Sequence, residues 1–363
     1  MPRHSSNRSL TAIDLFSGCG GMTQGLKKAG FQVLAGVELD ADSVKVYKAN
    51  HPEVEVLQRD VCSISGTDIL RAVKAKRIDL LAGCPPCQGF SSLTSKWHRY
   101  DRRNRLVGEM GRLIAELKPR AVMMENVPRL SQGRPTFRRF LRLLTKLGYQ
   151  VRWGVLDAAD LGVPQRRRRL VLLAGLDGPI ELPTKTHSRT GERKTLPWST
   201  VEQCLQRVTL GRAVIWDLAV RKGGPATVKW HVVRRISEKN RSRLRYAKAG
   251  ARWTKIPKRL RPTCHDERSA GFPNVYGRMS WDRPSPTITG GCTTLSMGRF
   301  GHPELARTIS VREAALLQTF PKDYKFPCQK IGKVSEMVGN ALPCKFAQVV
   351  ARMCLQALKA RET

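Results

Sequence analysis

Asp14-Leu15-Phe16-Ser17-Gly18-Cys19-Gly20-Gly21 closes the apolar run Ala12–Phe16 and leads into the helix-length segment Met22–Ala29. An extended run, a glycine-rich corner and a helix, in that order, make the generic nucleotide-binding turn of an open α/β sheet. Glycine there tolerates positive φ and lets the backbone approach a ligand closely. The pattern repeats outward from this corner. Gln32–Val37, Val54–Leu57, Ile78–Ala82, Ala121–Glu125 and Leu170–Ala174 read as further strands, and Ala41–Asn50 as a helix. Strand–helix alternation predicts a parallel, doubly wound sheet, whose ligands bind beyond the carboxyl ends of the strands. Polar features stand at three consecutive strand ends: the glycine corner, then Glu38, then Asp60 in Arg59-Asp60-Val61. Glu38 occupies the place where an acid takes ribose hydroxyls, and Asp60 can accept from an adenine amino group. The corner reads GxGG, not GxGxxG, and no P-loop lysine pattern occurs. The expected cofactor therefore bears adenosine but matches neither NAD nor ATP.

A second set of residues suggests chemistry. Ile78–Ala82 runs into Gly83-Cys84-Pro85-Pro86-Cys87-Gln88-Gly89-Phe90-Ser91. The prolines fix the backbone before Cys87 and aim its sulfur. A cysteine thiolate is a natural nucleophile for an electron-poor ring carbon. The Cys84/Cys87 spacing also suits a zinc half-site or a redox pair, but no second pair or matching histidines accompany it. Glu125, in Met123-Met124-Glu125-Asn126-Val127-Pro128, ends an apolar strand. Poor solvation there raises a carboxyl's pKa and suits it to proton sharing near neutrality. Gly162-Val163-Pro164-Gln165-Arg166-Arg167-Arg168-Arg169 leads into a strand, so Arg167 and Arg169 are expected on one face, towards the site or towards phosphates. The plainer reading of these arginines is a surface basic cluster.

Composition narrows the partners. In 363 residues, 65 Lys and Arg face 29 acids, a formal net charge of +36. Such an imbalance calls for a polyanion. Nucleic acid fits best, because each cation at a phosphate releases counterions; an anionic membrane surface is the rival. No apolar run of about 18 residues could span a bilayer, and no apolar segment near the start suggests secretion. Met1–Leu10 reads as a frayed tail. Disulfides are a poor default for the ten cysteines of such a chain. From about 181 the helical periodicity fades. Between Arg221 and Pro262, fifteen Lys or Arg face the single acid Glu238, with Trp230, Tyr246 and Trp253 interspersed. This predicts an irregular second domain with a phosphate-facing surface, against the alternative of a solvated charge run. A helical pattern returns from about Gly332.

The ordered set DLFSGCGG, VELD, RDV, GCPPCQGFS, ENV and GVPQRRRR resembles the cytosine-5 DNA methyltransferase family of the prokaryotic type. Arg307–Ala315 through Thr319-Phe320-Pro321, and Val338-Gly339-Asn340-Ala341-Leu342-Pro343, look like that family's last two blocks. The likeness covers roughly 11–175 and 281–350. It implies a Rossmann-like α/β sheet that binds S-adenosylmethionine (residues 11–180 plus 330–363). A second, smaller and irregular target-recognition domain would occupy 181–329. It implies that Phe16, Gly18, Cys19, Gly20, Gly21, Glu38, Leu39, Asp60, Val61, Pro86, Asn340 and Ala341 hold the cofactor. Cys87, Glu125, Arg167 and Arg169 would be catalytic, with Cys87 attacking carbon 6 of a flipped-out cytosine and Glu125 acting at ring nitrogen 3. Gln88, Ser91, Asn126 and Gln165 would meet the DNA, and Gln88–Arg105 would close over the target.

No metal is expected. The implied partner is double-stranded DNA, with a cognate restriction endonuclease acting separately. The implied protein is a monomer, off the membrane, cytoplasmic and nucleoid-associated. Competing readings are an RNA (tRNA) cytosine-5 methyltransferase, a non-catalytic nucleic-acid-binding protein and, more distantly, a zinc or redox protein built on Cys84 and Cys87.

Overall fold

Seven strands build the central sheet, and their ends decide where chemistry can occur. They are β1 (Thr11–Leu15), β2 (Gln32–Val37), β3 (Glu55–Leu57), β4 (Leu80–Gly83), β5 (Ala121–Asn126), β6 (Gln150–Asp157) and β7 (Arg168–Gly175). In this computed structural model the described residues are 8–86, 105–132, 135–192, 194–206, 208–251, 253–262 and 274–361. The strand order is β3-β2-β1-β4-β5-β7-β6. The first five strands run parallel, while β7 is antiparallel to both β5 and β6. The order reverses between β1 and β4, and an open α/β sheet offers its ligand crevice at such a reversal.

The helices of this layer are α1 (Gly21–Ala29), α2 (Ala41–Asn50), α3 (Gly66–Ala72), α4 (Leu106–Leu117) and α5 (Pro135–Lys146). Local chemistry starts and stops them. Gly20 opens α1 at φ 90°, and Gly30 ends it at φ 114°, its N–H returning to Leu26 O and Lys27 O. The Asp40 side chain accepts from Ser43 N at the start of α2, and Ser65 and Asp68 form a reciprocal capping box on α3. Between sheet and helices lies a core that includes Ile13, Leu15, Val37, Leu81, Leu113, Val122 and Phe140, all buried. Asp79, fully buried ahead of β4, accepts from Arg8 at 2.6 and 2.7 Å and from Thr11 N at 2.8 Å, which pins the start of β1.

The chain divides into two compact units, one of residues 1–161, 168–185 and 342–363, the other of 162–167 and 186–341. The C-terminal helix Cys344–Lys359 belongs to the first and packs on α1. A Cβ on Gly25 would lie 2.4 Å from Ala347 Cβ and 2.7 Å from Cys344 O. Glycine lets these two helix backbones touch.

The second unit contains α6 (Val201–Leu205), α7 (Trp216–Arg221), α8 (Glu238–Tyr246), α9 (Val311–Leu317) and α10 (Ile331–Asn340), with strands no longer than two residues. Side chains donating to carbonyls replace a continuous sheet. Arg312, 3% exposed, donates to Lys229 O at 2.7 Å and Tyr324 O at 2.8 Å and stacks on Phe326. Arg278 donates to Leu244 O at 2.8 Å and Leu305 O at 2.7 Å. Glu313 closes a capping box with Ser310 and pairs with Arg307 at 2.7 Å.

Three features depart from the sequence expectation. The sheet is not wholly parallel, because β7 is inserted in the reverse sense. The edge strand β6 was not foreseen: its faces are exposed or half-buried throughout and carry Arg152 and Trp153, so no apolar alternation marks it. Residues 162–167 and 330–341, expected on the sheet side, fall in the second unit. There Gln318 Nε2 donates to Val338 O at 2.6 Å and Ala341 O at 2.9 Å, binding the end of α10. Among the described residues, no helix is long and apolar enough to cross a membrane.

Gly25→Val should destabilise the protein by about 2–3 kcal/mol through overpacking of α1 against the C-terminal helix. A lower urea midpoint at constant slope is the expected record; an unchanged midpoint would contradict that close approach.

Candidate active site

The end of β1 turns sharply under backbone control. Phe16, Gly18 and Gly20 have φ of 57°, 53° and 90°. Ser17 N donates to Val37 O at 3.1 Å and Gly20 N to Ser17 O at 2.9 Å, which ties the turn to the end of β2. A Cβ on Gly18 would meet nothing within 4 Å. Positive φ, not crowding, calls for glycine there. Gly18 N donates to Glu38 Oε2 at 2.8 Å, and Glu38 Oε1 accepts from Leu39 N at 3.0 Å and Asp40 N at 2.8 Å. The carboxylate is thus held by three backbone donors. Beside it Leu39 is 63% exposed, an unusual state for a leucine. At the next strand end, Asp60 Oδ1 accepts from Cys62 N at 2.9 Å, and Val61 is buried beneath it. A preset carboxylate, an exposed apolar side chain and a second acid fit the hydroxyls, ring face and amino group of an adenosine. Cys19 is buried, and burial pushes its thiol up to about 12.

One residue of this corner escaped the sequence reading. Asp14 is buried on β1, its Oδ2 accepting from Thr23 Oγ1 at 2.7 Å, and Thr23 Oγ1 lies 2.7 Å from Tyr47 OH. Asp14 Oδ1, also buried, finds no hydrogen-bond partner among the described residues. Burial pushes this carboxyl up to about 7 despite the Thr23 bond, and the Glu38 charge adds to the rise. The available signal was an acid inside an otherwise apolar strand.

Along the sheet, β4 ends at Gly83 and continues as Cys84-Pro85-Pro86. Cys87, Gln88 and Ser91 lie outside the described residues. Asn126, 2% exposed at the end of β5, donates from Nδ2 to Pro85 O at 3.1 Å, and its Oδ1 accepts from Val127 N at 2.9 Å. Asn126, expected at the DNA, is buried here and braces the proline segment that follows β4. Glu125 is 8% exposed, and Arg169 Nε stands 2.7 Å from its Oε1. This is an ion contact without an aligned N–H, since Oε1 accepts no hydrogen bond within the described residues. The burial of Glu125 matches the expectation. The adjoining guanidinium of Arg169 was not part of it.

Two other expectations need correction. β7 starts at Arg168, so strand alternation does not reach Arg167. Arg167 is buried in the second unit and donates to Ile288 O at 2.9 Å and Gly339 O at 3.2 Å. Gln165, also expected at the DNA, is fully buried. It donates to Gln318 Oε1 at 2.8 Å and accepts from Ile288 N at 3.0 Å. Both residues brace the second unit from within. Asn340 closes α10 and Ala341 caps it, also in that unit. Among the described residues, no group of three or more His, Cys, Asp and Glu side chains could hold a metal ion.

A mostly parallel sheet with a glycine corner at its reversal, two acids at the next strand ends, and a buried glutamate paired with a half-buried arginine beside a Cys-Pro-Pro turn defines a methyltransferase-type α/β enzyme. The C-5 cytosine-specific DNA methylase family matches residues 10–356, and the chain belongs to that family. It is a DNA (cytosine-5-)-methyltransferase. It is 36% identical to the Type II methylase M.HgiDII of Herpetosiphon aurantiacus, over 94% of this chain and 93% of that one. To the Type II methyltransferase M1.HphI of Haemophilus parahaemolyticus the identity is 34%, over 96% and 87%. Two solved structures share the fold. One, assigned as a prophage-encoded DNA modification methyltransferase (E. coli), has a TM-score of 0.73 at 23% identity and covers 97% of this chain and 100% of its own. The other, a Spodoptera frugiperda DNMT2 mutant, has a TM-score of 0.64 at 18% identity, covering 96% and 100%.

Two measurements probe the site. Asn126→Ala should lower kcat by up to about a hundredfold, because the proline segment loses its brace, with cofactor affinity kept; an unchanged kcat would remove Asn126 from the positioning machinery. Asp14 binds its proton more tightly folded than unfolded, so it lends stability at low pH that is lost as pH rises from about 4 to about 7. The difference in unfolding free energy between wild type and Asp14→Asn should decline across that window. A pH-independent difference would mean that Asp14 is ionised throughout.

Proposed function

We propose that the enzyme methylates carbon 5 of a cytosine flipped out of a specific duplex sequence, through a transient bond between Cys87 and ring carbon 6. The observation that carries this reading is the pairing of buried Glu125 with half-buried Arg169 at the end of β5, next to a strand end whose Pro85 carbonyl is held by Asn126. S-adenosylmethionine, when bound, supplies an electrophilic methyl group. Phe16, Gly18, Cys19, Gly20, Gly21, Glu38, Leu39, Asp60, Val61 and Pro86 would hold it, with Asn340 and Ala341 from the C-terminal block. Glu38 would take the ribose hydroxyls and Asp60 the adenine amino group.

Carbon 5 of cytosine is a weak nucleophile, and a covalent adduct divides the difficulty. The Cys87 thiolate adds to carbon 6, and the electron pair of the 5,6 double bond moves towards carbon 5. Glu125 shares a proton with ring nitrogen 3 and Arg169 holds Glu125 in place, so the ring can accept that charge. Carbon 5 then takes the methyl group. Loss of its proton and departure of the thiolate restore the double bond and free Cys87. Stacked bases cannot reach such a site, so extrusion of the cytosine is required, at a cost of about a few kcal/mol. Cations of the second unit offset that cost at the phosphates. The Type II relatives support a place in a restriction–modification system, with a separate endonuclease reading the same sequence. In this reading the protein acts as a cytoplasmic, nucleoid-associated monomer.

Duplex DNA carrying 5-fluorocytosine in the target sequence should trap the wild-type protein covalently, since fluorine at carbon 5 blocks the final elimination. Cys87→Ser should form no adduct and retain cofactor binding. Trapping by the serine variant, or methyl transfer to tRNA alone, would overturn this reading. Glu125→Gln should slow the chemical step by about a hundredfold or more with little effect on DNA affinity, whereas equal damage to both would deny it a proton-sharing part.

A further inference from the structure

Within the second unit, a cavity of about 460 Å³ is lined by Arg166, Arg189, Arg283 and Arg299, with Trp198 and Asp282. Its arginines lie outside the basic run 221–262, and no residue role described above is assigned to them. Its volume exceeds what a bare ion needs and falls among pockets of about 300–1,000 Å³ that take nucleotide-sized groups. Four guanidinium groups against one carboxylate leave a net lining charge of three positive (4 − 1). The one acid, Asp282, already accepts from Ser280 Oγ and lies 3.6 Å from Arg283.

The frame beneath these side chains is fixed by backbone bonds. Arg166 N donates to Ser285 O and Ser285 N to Pro164 O, both at 2.9 Å, while Val201 N donates to Arg283 O at 3.0 Å. Trp198 N donates to Ser188 O at 2.8 Å. The guanidinium carbon of Arg166 sits 4.4 Å from the Trp198 ring centre. Stacking on an indole orients a guanidinium and lowers the entropy it loses on binding an anion, and Arg299 is likewise held, donating to Gly250 O at 3.2 Å. Arg189 is exposed and Arg283 keeps 70% of its side-chain surface, so both can swing onto a ligand. A planar, multidentate donor set of this kind matches phosphate oxygens.

We propose that this cavity clamps a backbone phosphodiester of the DNA substrate, independently of base sequence. Contacts of this type set register on the duplex without reading bases. The proposal rests on duplex DNA being the substrate.

The test uses the full-length protein with Arg189→Gln and Arg283→Gln, singly and together, since both side chains are exposed and their loss leaves packing intact. Each contact removed should reduce the slope of log affinity against log salt by about 0.9. Between about 50 and about 200 mM salt, each variant should therefore lose about three- to fourfold less affinity than wild type. The weakening should be the same for target and non-target duplexes, with cofactor affinity unchanged. A methylphosphonate, which lacks the charge, is then placed at each position of the duplex in turn. One or two positions should weaken wild type but not the double variant. Equal losses for wild type and variant at every position would overturn the proposal. So would a deoxynucleoside monophosphate that binds wild type and not the variants while duplex affinity stays level; the cavity would then serve a free nucleotide. Failure of wild type to bind duplex DNA at all would overturn the parent reading as well, and is recognised before any variant is compared.

Discussion

The contact on which the catalytic end of the sheet depends is the ion pair between Glu125 and Arg169, and strand direction makes it. β7 runs antiparallel to β5, with Asn126 opposite Leu170. The first residues of β7 therefore meet the last residues of β5. A parallel β7 would bring its far end to that place and leave Glu125 without the arginine. A lone buried carboxylate is costly to ionise; a guanidinium at 2.7 Å offsets that cost and holds the group for one job. Removing Arg169 would leave the buried Glu125 without its counter-charge.

Around that pair, the site is assembled from strand ends that do not touch in sequence. Asn126 reaches from β5 to the carbonyl of Pro85 beyond β4, and Glu38 reaches from β2 to the turn after β1. Each link joins neighbouring strands of the sheet at their carboxyl ends. Sheet order, more than any loop, sets which functional groups can meet.

The strand ends were legible from sequence because buried parallel strands are short apolar runs broken by polar residues. The Ser17–Gly21 corner, Glu38, Asp60 and Glu125 all stood out in this way, and the burial of Glu125 followed. The remainder was hidden for identifiable reasons. β6 lies at the sheet edge with Arg152 and Trp153 outward, so it lacks the pattern that marks an interior strand. Asn126, Gln165 and Arg167 carry polar groups that pair with backbone carbonyls distant in sequence, and spacing says nothing about such partners. Arg169 was expected to act, but its alliance with Glu125 depends on the reversed strand. The second unit was foreseen only as irregular, because its order comes from side chains and not from periodic elements.

That mode of construction has a consequence for how such a protein can diversify. Arg312, Arg278 and Gln318 fasten distant carbonyls to one another, and the segments between them add small apolar clusters such as Ala247, Trp253, Ile256 and Val275 in place of a continuous sheet. Those segments can be lengthened, shortened or exchanged while the fastenings stay put. A chain built like this can change the outer surface of its second unit by exchanging one stretch of backbone, without rebuilding the seven-stranded sheet.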